Sequence, residues 1–301
     1  MNRIPLHITT CILFVFAVLT VSVSDTANAM NWPSDNAVLV RNFGSNDRGK
    51  PVMGMTFNEP AEGTEIFTAE SGEIIFVSDS RNTASRLPTP LGSWTAVDHG
   101  DGLISIYSRY SDEPNVFQDI KEVEKQQPVA VSGTSGWSVQ NGFYFMIFDR
   151  RERRWINPAM IITPMLETRP PQINSVDLRN AQGQLMQLRN LTQGRYTVIV
   201  NAAGGTARTT PVNVQPFAPH RIVSSVNGAE VGLLNFEAVS ARDGILMVSR
   251  NGLVPARQIY NSFPAFEAAE VFLARGQVTL EVIVQDITGT SRSIIHRLIV
   301  N

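Results

Sequence analysis

The chain has few of the side chains that bind metals or form disulfides. Its 301 residues include one cysteine and four histidines. The cysteine, Cys11, lies in an apolar run near the N-terminus, so the rest of the sequence has no thiol, disulfide or cysteine metal site. A fold without disulfides must be held together by core burial, and 43% hydrophobic residues are ample for that.

Charge is also scarce, at 17% of residues with a formal net charge of -2. Nucleic-acid binding needs a concentrated basic surface, so we exclude DNA and RNA as partners. The apolar run Cys11–Val23 is short for a membrane-spanning helix, and we expect no retained membrane span.

Residues 1–29 are predicted to be a signal peptide. Arg3 precedes the apolar run, and Ala27-Asn28-Ala29 has the small-x-small pattern that signal peptidase cleaves. The mature protein would begin near Met30 and be periplasmic or secreted, a retained anchor being the alternative. Cys11 lies at the start of the apolar run and not after it near the cleavage site, which is not the position of a lipid-attachment cysteine.

From residue 36 onward, short runs rich in Val, Ile, Phe and Tyr alternate with Gly, Pro, Asn and Asp, which predicts an all-β protein. In the first half, a helix is conceivable only near 119–125. Two adjacent prolines make 167–172 a predicted linker between domains at 30–166 and 173–301. Turn signals recur in the second domain roughly every 8–12 residues, which predicts an Ig-like β-sandwich. Whether it is one domain or two small ones stays open.

Four segments of the first domain, taken in order, resemble the lysostaphin/LytM family of zinc peptidoglycan endopeptidases. The resemblance implies an antiparallel β-sheet of the duplicated hybrid motif type. The sheet would carry a groove with the metal site at its base. Glu62–Phe76 resembles the family's G-T-P-V hairpin, and Val97–Tyr107 resembles its I-D-H-G-x-G … L-Y strand pair. Val123–Gly136 resembles its glycine-spaced loop, and Phe143–Pro158 resembles its last hairpin, which ends in V-N-P.

The resemblance places the family's five zinc and catalytic residues at positions that have all changed. The H-x-x-x-D pair falls at Val52 and Thr56, the H-x-H pair at Tyr144 and Met146, and a further histidine at Arg109. Valine has no donor atom, a neutral threonine hydroxyl is a poor zinc ligand, and a thioether is soft. We therefore predict no metal, no cofactor and no catalytic residue.

The histidines left after residue 29 do not restore a zinc site. His99 lies in an Asp-His-Gly turn and is interpreted as a structural residue, whereas His220 and His296 are interpreted as ordinary surface or strand residues. Side chains that could line the changed groove are Phe57, His99 and Tyr107, together with Arg109 and Tyr144. Alternatively, Tyr144 and Met146 fill the space that the metal left.

For three further features we prefer a structural interpretation to a functional one. Loop carboxylates that could form a replacement metal site are more often turn formers. Serines in the glycine-rich loop have no histidine base indicated. The arginine-rich turn 149–154 is a solvated hairpin tip or, alternatively, a docking patch for an acidic wall polymer. The carboxylates are Asp47, Glu59, Asp98 and Asp101, and the serines are Ser132, Ser135 and Ser138.

The resemblance and the five replacements lead to three hypotheses of function. The first is an exported, non-catalytic LytM-like protein that binds peptidoglycan stem peptide or glycan, or activates or positions a cell-wall hydrolase. The second is a structural or adhesion protein of the envelope that binds wall polymer. The third is an active metalloendopeptidase that cleaves peptidoglycan cross-links at an unfamiliar site.

Overall fold

The computed structural model describes residues 29–78, 89–112, 120–162, 168–189, 191–207 and 216–301. The described part is nearly all β, as predicted. The signal peptide prediction lies outside the described residues except for Ala29. No helix in the described ranges is both long and apolar enough to cross a membrane.

Twelve strands and one short 3-10 helix, Pro158–Met160, make up the described residues of the first half. The strands are β1 Val38–Arg41, β2 Asn46–Asp47, β3 Lys50–Pro51, β4 Met55–Asn58, β5 Glu65–Phe67, β6 Gly72–Ser78, β7 Ser93–Asp98, β8 Leu103–Tyr110, β9 Glu122–Val123, β10 Pro128–Val131, β11 Gly142–Asp149 and β12 Arg154–Ile156.

Twelve more strands and a single-turn helix, α1 Arg257–Tyr260, make up the described second half. The strands are β13 Thr168–Arg169, β14 Gln172–Asn180, β15 Leu185–Met186, β16 Gly194–Ala203, β17 Thr206–Ala207, β18 Arg221–Val226, β19 Ala229–Arg242, β20 Ile245–Arg250, β21 Leu253–Pro255, β22 Phe266–Leu273, β23 Gly276–Gln285 and β24 Ser291–Val300.

Strand β11 is the centre of the first half. It pairs antiparallel with β8 along one edge, and with β4 and then β12 along the other. The sheet continues through β7 and β6 to β9. Because side chains alternate along a strand, Phe143, Phe145 and Ile147 face the main core, whereas Tyr144 and Met146 face the other side.

The helix considered over 119–125 does not form in its described part. Glu122–Val123 is strand β9, which pairs with Gly72–Glu73 at the sheet edge. Lys121 also accepts a backbone hydrogen bond from Ile74. Pairing with the sheet therefore overrides the weak helical pattern.

The second half contains two antiparallel sheets with a core between them. One has the order β15-β14-β16-β22, and the other is built on β24-β23-β18-β19. Residues from both sheets form the buried core, among them Val198 and Val200 from the first and Leu280 and Val282 from the second. The arrangement is a two-layer β structure, and its Ig-like topology remains a prediction.

The two halves share one hydrogen-bonded sheet. The last hairpin strand of the first half, β12, pairs with β19 of the second half, with Trp155 opposite Val239. Asn42 adds a second link, because its side chain donates to the Ala218 carbonyl at 2.9 Å and accepts from the Ala218 amide at 2.9 Å. The predicted linker also pairs with strands, since β13 pairs with β17 and β14 with β16. We therefore expect the two halves to behave as one mechanical unit.

Candidate functional site

Three of the five predicted site positions, Val52, Tyr144 and Met146, lie together in the structure. We call this group of side chains the apolar cluster. All three side chains are buried, and they form a group separate from the main core. Thr56 lies directly opposite Tyr144 on the neighbouring strand, so it faces the same side of the sheet. The hydrophobic side chains that pack around the apolar cluster are Leu91, Ile106 and Trp155.

Gly54 lets the chain pass close to the apolar cluster. A Cβ atom at this position would lie 2.4 Å from the Phe145 carbonyl oxygen and 2.5 Å from the Met146 Cγ. Any side chain here would therefore collide with backbone, which explains the glycine. The backbone just before Gly54 brings Val52 and Met53 against Tyr144.

Tyr144 fills the centre of the site as a neutral phenol. Its hydroxyl hydrogen-bonds with the backbone of Met53. Burial raises the pKa of Tyr144 to about 12, an effect that the nearby Arg109 charge only partly offsets. At neutral pH the phenol is protonated, so it does not offer a phenolate to a metal ion.

Arg109 covers the apolar cluster. Its guanidinium carbon lies 4.5 Å from the centroid of the Tyr144 ring, which is cation–π geometry. Its Nε donates to the Pro90 carbonyl at 3.2 Å, and its backbone amide donates to the Leu91 carbonyl at 2.7 Å. Burial lowers the pKa of Arg109, but a guanidinium is still charged at neutral pH.

These residues do not fit a zinc ion. A hydrolytic zinc site needs about three nitrogen or oxygen ligands and an open position for water. The apolar cluster offers one thioether and one neutral phenol, and the Arg109 charge above it repels a second cation. Across the ranges that the structure describes, no group of three or more His, Cys, Asp or Glu side chains could hold a metal ion.

Phe57 and Tyr107 lie on the opposite face of the sheet from the apolar cluster. Phe57 stacks on Phe143 at 5.0 Å between centroids, and Tyr107 is fully buried against Phe145. The Tyr107 hydroxyl accepts hydrogen bonds from the Ala69 amide and from the Ser105 hydroxyl. The structure therefore places both side chains in the main core, away from the groove that the sequence suggested.

His99 fixes a turn. Its Nδ1 lies 2.8 Å from the Ser71 carbonyl oxygen and its Nε2 lies 2.9 Å from the Ser105 hydroxyl. With both ring nitrogens engaged, the imidazole has no free position for a ligand. This environment agrees with a structural role in the Asp-His-Gly turn and does not favour groove lining.

The carboxylates and serines considered as alternative sites have structural partners or lie apart. Asp47 and Asp98 form ion pairs with Arg41 and Arg150, and Asp101 accepts from the Leu103 amide. Glu59 is buried elsewhere, beside Asn141. The three loop serines bond backbone groups: Ser132 with Thr64 and Ala61, Ser135 with Ser93, and Ser138 with Gln140.

Sequence reasoning missed two contributors to the site. Leu91 and Trp155 pack against the apolar cluster, although one precedes β7 and the other lies in β12. No local motif marks Leu91. For Trp155 a signal exists, because it lies directly after the arginine-rich turn and within the last hairpin.

Two family models match the chain. The model of Peptidase family M23 matches residues 50–158, and a second family model matches residues 170–301. No curated protein matches. The first match covers all five predicted site positions.

Solved structures that match parts of this chain include bacterial peptidases. A variant of the catalytic domain of EnpA, a prophage-encoded M23 protein from Enterococcus faecalis, is 19% identical, with 43% of this chain and 95% of that chain covered and a TM-score of 0.36. The catalytic domain of lysostaphin from Staphylococcus simulans is 18% identical, with 36% and 77% covered and a TM-score of 0.31. A chain of the SpoIIQ–SpoIIIAH pore-forming complex is 19% identical, with 44% and 92% covered and a TM-score of 0.35.

The family match and the antiparallel sheet around β11 agree on the nature of the first half. Residues 50–158 of this chain are a domain of the M23 peptidase family.

Proposed function

We propose that this is an exported, non-catalytic LytM-like protein that acts by binding, and that it activates or positions a cell-wall hydrolase. The observation that supports this proposal is the apolar cluster. Val52, Tyr144 and Met146 fill the place where a hydrolytic site would need ligands and a water molecule. A binding role needs only the fold and its surface.

The surface beside the apolar cluster has features of a protein-binding site. Trp137 is 74% exposed and Val139 is 93% exposed. The Trp137 amide donates to the Pro90 carbonyl at 3.2 Å, the same oxygen that accepts from Arg109 Nε. Trp and Arg side chains are enriched among the residues that dominate protein–protein binding energy, and here Trp137 is exposed and Arg109 partly exposed. We name Arg109, Trp137 and Val139 the groove rim.

The test is a wall-digestion assay with the mature chain, residues 30–301. A purified amidase from the same envelope digests purified peptidoglycan, and the release of soluble fragments is measured with and without the chain. We expect the chain to raise the rate, and the double variant Arg109→Ala, Trp137→Ala to lose the effect. Phe272→Ala is the matched control, because Phe272 is 58% exposed on β22, outside the M23 domain. An unchanged rate with the wild-type chain for every hydrolase tried contradicts the proposal.

An alternative function is a structural or adhesion role through binding of wall polymer. The arginine-rich turn supports it, because Arg151 and Arg153 are exposed and Arg150 is 59% exposed despite its ion pair with Asp98. Co-sedimentation with purified sacculi at low and high salt tests this role. Salt-sensitive binding that is lost in Arg151→Ala, Arg153→Ala favours the alternative, and absence of binding at low salt excludes it.

Export and a supporting role of the second half belong to the same proposal. A cleaved signal peptide at residues 1–29 would deliver the chain to the periplasm or the medium, and the second half would hold the M23 domain at a fixed orientation through the sheet shared by β12 and β19. N-terminal sequencing of the protein from the envelope tests the cleavage, and a mature N-terminus near Met30 is expected.

A further inference from the structure

A cleft lies where the two halves meet, on the other face of β4 from the apolar cluster. Its volume is about 80 Å³. Such a volume holds roughly five water-sized groups, since each needs about 15 Å³. Met55 and Leu39 line it from the first half, and His220 and Asp286 line it from the second.

Asp286 uses only one of its carboxylate oxygens to hold its turn. Oδ1 accepts three hydrogen bonds: from the Thr288 amide at 2.9 Å, the Thr288 hydroxyl at 2.7 Å and the Thr290 amide at 2.9 Å. Oδ2 is buried and has no hydrogen-bond partner among the described residues, and the whole residue is 4% exposed. A buried carboxylate oxygen without a donor is unfavourable, so this side of Asp286 is ready to accept a donor.

His220 offers a second free atom at the cleft. Its Nε2 faces Glu237, with 3.6 Å to Oε1. Its Nδ1 is buried and lacks a partner in the described ranges. Burial lowers the pKa of His220, more than Glu237 raises it, which favours the neutral ring. With the proton on Nε2 toward Glu237, Nδ1 carries a lone pair and accepts a hydrogen bond.

The other polar side chains of the cleft are already engaged. Asn42 bonds both backbone groups of Ala218, and Asn157 donates to the Phe236 carbonyl while accepting from the Ala159 amide. The remaining wall is largely apolar or glycine; its members include Trp32, Ala159, Gly204, Gly205, Phe217 and Ile287. Two of the residues that line the cleft therefore carry a buried acceptor atom without a partner among the described residues, one of them a carboxylate oxygen, and the rest of the lining is mainly hydrophobic.

Gly205 leaves space beside the Asp286 carboxylate in the lining of the cleft. A Cβ atom there would lie 2.9 Å from Asp286 Oδ2 and 2.7 Å from the Arg169 carbonyl oxygen. A larger residue would collide with this carbonyl and crowd the free oxygen.

We propose that this cleft binds a primary ammonium group carried on a short alkyl chain. An ammonium has three N–H donors, which suit Asp286 Oδ2 and His220 Nδ1 together, and its alkyl chain suits the apolar wall. A divalent metal ion fits less well, because one carboxylate oxygen and one imidazole are too few protein ligands. Two sources share this chemistry: the side chain of a diamino acid and the free amino end of a peptide.

The cleft is independent of the hydrolase-binding proposal. Met55 faces the cleft, whereas Thr56, the next residue, faces the apolar cluster. The groove rim and the cleft can therefore be altered separately, and failure of one proposal does not imply failure of the other.

The test is a titration of the mature chain, residues 30–301, followed by NMR chemical shifts and isothermal calorimetry. The probes are n-butylammonium, Nα-acetyl-lysine amide for the side-chain source, and alanine amide for the amino-end source. n-Butanol and diacetyl-lysine amide are the uncharged controls. We expect at least one ammonium probe to bind and neither control to do so. Binding of only one amide identifies the source.

Asp286→Asn is the decisive variant, because its carbonyl oxygen can keep the three turn hydrogen bonds while the negative charge is lost. We expect binding to weaken roughly tenfold or more, as for the loss of a charged hydrogen-bond partner. Asp243→Asn, in an exposed turn, is the matched control and should bind as the wild type does. Ala159→Leu fills the cleft without touching the turn and should also abolish binding, which keeps the test decisive if Asp286→Asn does not fold. The proposal is overturned if the wild type binds no ammonium probe, so that the cleft holds only water, or if the folded variants bind like the wild type.

Discussion

Truncation of Met146 tests whether the apolar cluster is a well-packed core or a loose remnant of a binding site. Met146 is 3% exposed, and its neighbours include Val52 and Tyr144. Full burial of such a side chain contributes about 1.5–3 kcal/mol, and the cavity left behind adds to the loss. We therefore expect Met146→Ala to lower the free energy of unfolding by about 2–5 kcal/mol.

The measurement is urea unfolding of the mature chain, followed by tryptophan fluorescence. Met160→Ala is the control, since Met160 is 44% exposed and its truncation should cost about 0.5 kcal/mol or less. If Met146→Ala costs no more than Met160→Ala, the cluster is not a packed core, and the argument that these three side chains fill the place of a hydrolytic site is refuted.

Three further predictions concern other parts of the chain. Both carboxylate oxygens of Glu59 are buried without a partner in the described ranges, and burial raises its pKa more than the nearby Ser34 lowers it. Stability is therefore lost as pH rises through the raised pKa, and Glu59→Gln should remove this loss in thermal unfolding between acidic and neutral pH; an unchanged pH profile contradicts it. Asn42→Ala should cost about 1–3 kcal/mol, measured by urea unfolding, because the Ala218 carbonyl loses its donor while the Ala218 amide keeps only the Ser45 hydroxyl at 3.3 Å; a neutral effect would show that the link is not formed. Tyr144 should remain protonated at a pH of about 10, where unperturbed tyrosines are half ionised, so Tyr144→Phe should leave the phenolate absorbance at that pH unchanged.

The positions of many strands can be predicted from the sequence, because they depend on residues close together along the chain. Runs such as Gly72–Ser78 and Gly142–Asp149 are rich in β-branched and aromatic residues and end at turn formers, so their strands are predictable. The family resemblance also brought Val52, Tyr144 and Met146 together, and the structure places them in one cluster.

Other features depend on long-range pairing and have no local signal. Phe57 and Tyr107 are only possible groove-lining residues by sequence, and the two-residue period of a strand places Phe57 on the opposite side from Thr56. Stricter use of this period would have predicted the core position. The pairing of Trp155 with Val239 and the cleft at His220 join segments more than 60 residues apart, so only the folded chain reveals them.

Metal content and peptidoglycan cleavage, measured on the same purified mature chain, test most directly whether the M23 domain binds without cutting. The chain is incubated with zinc, freed of excess metal, analysed by mass spectrometry for bound metal, and then incubated with purified peptidoglycan whose fragments are mapped. Because the apolar cluster lacks ligands and Arg109 covers it, we expect far less than one zinc per chain and no new fragments. One zinc per chain together with new peptide fragments would contradict the non-catalytic function.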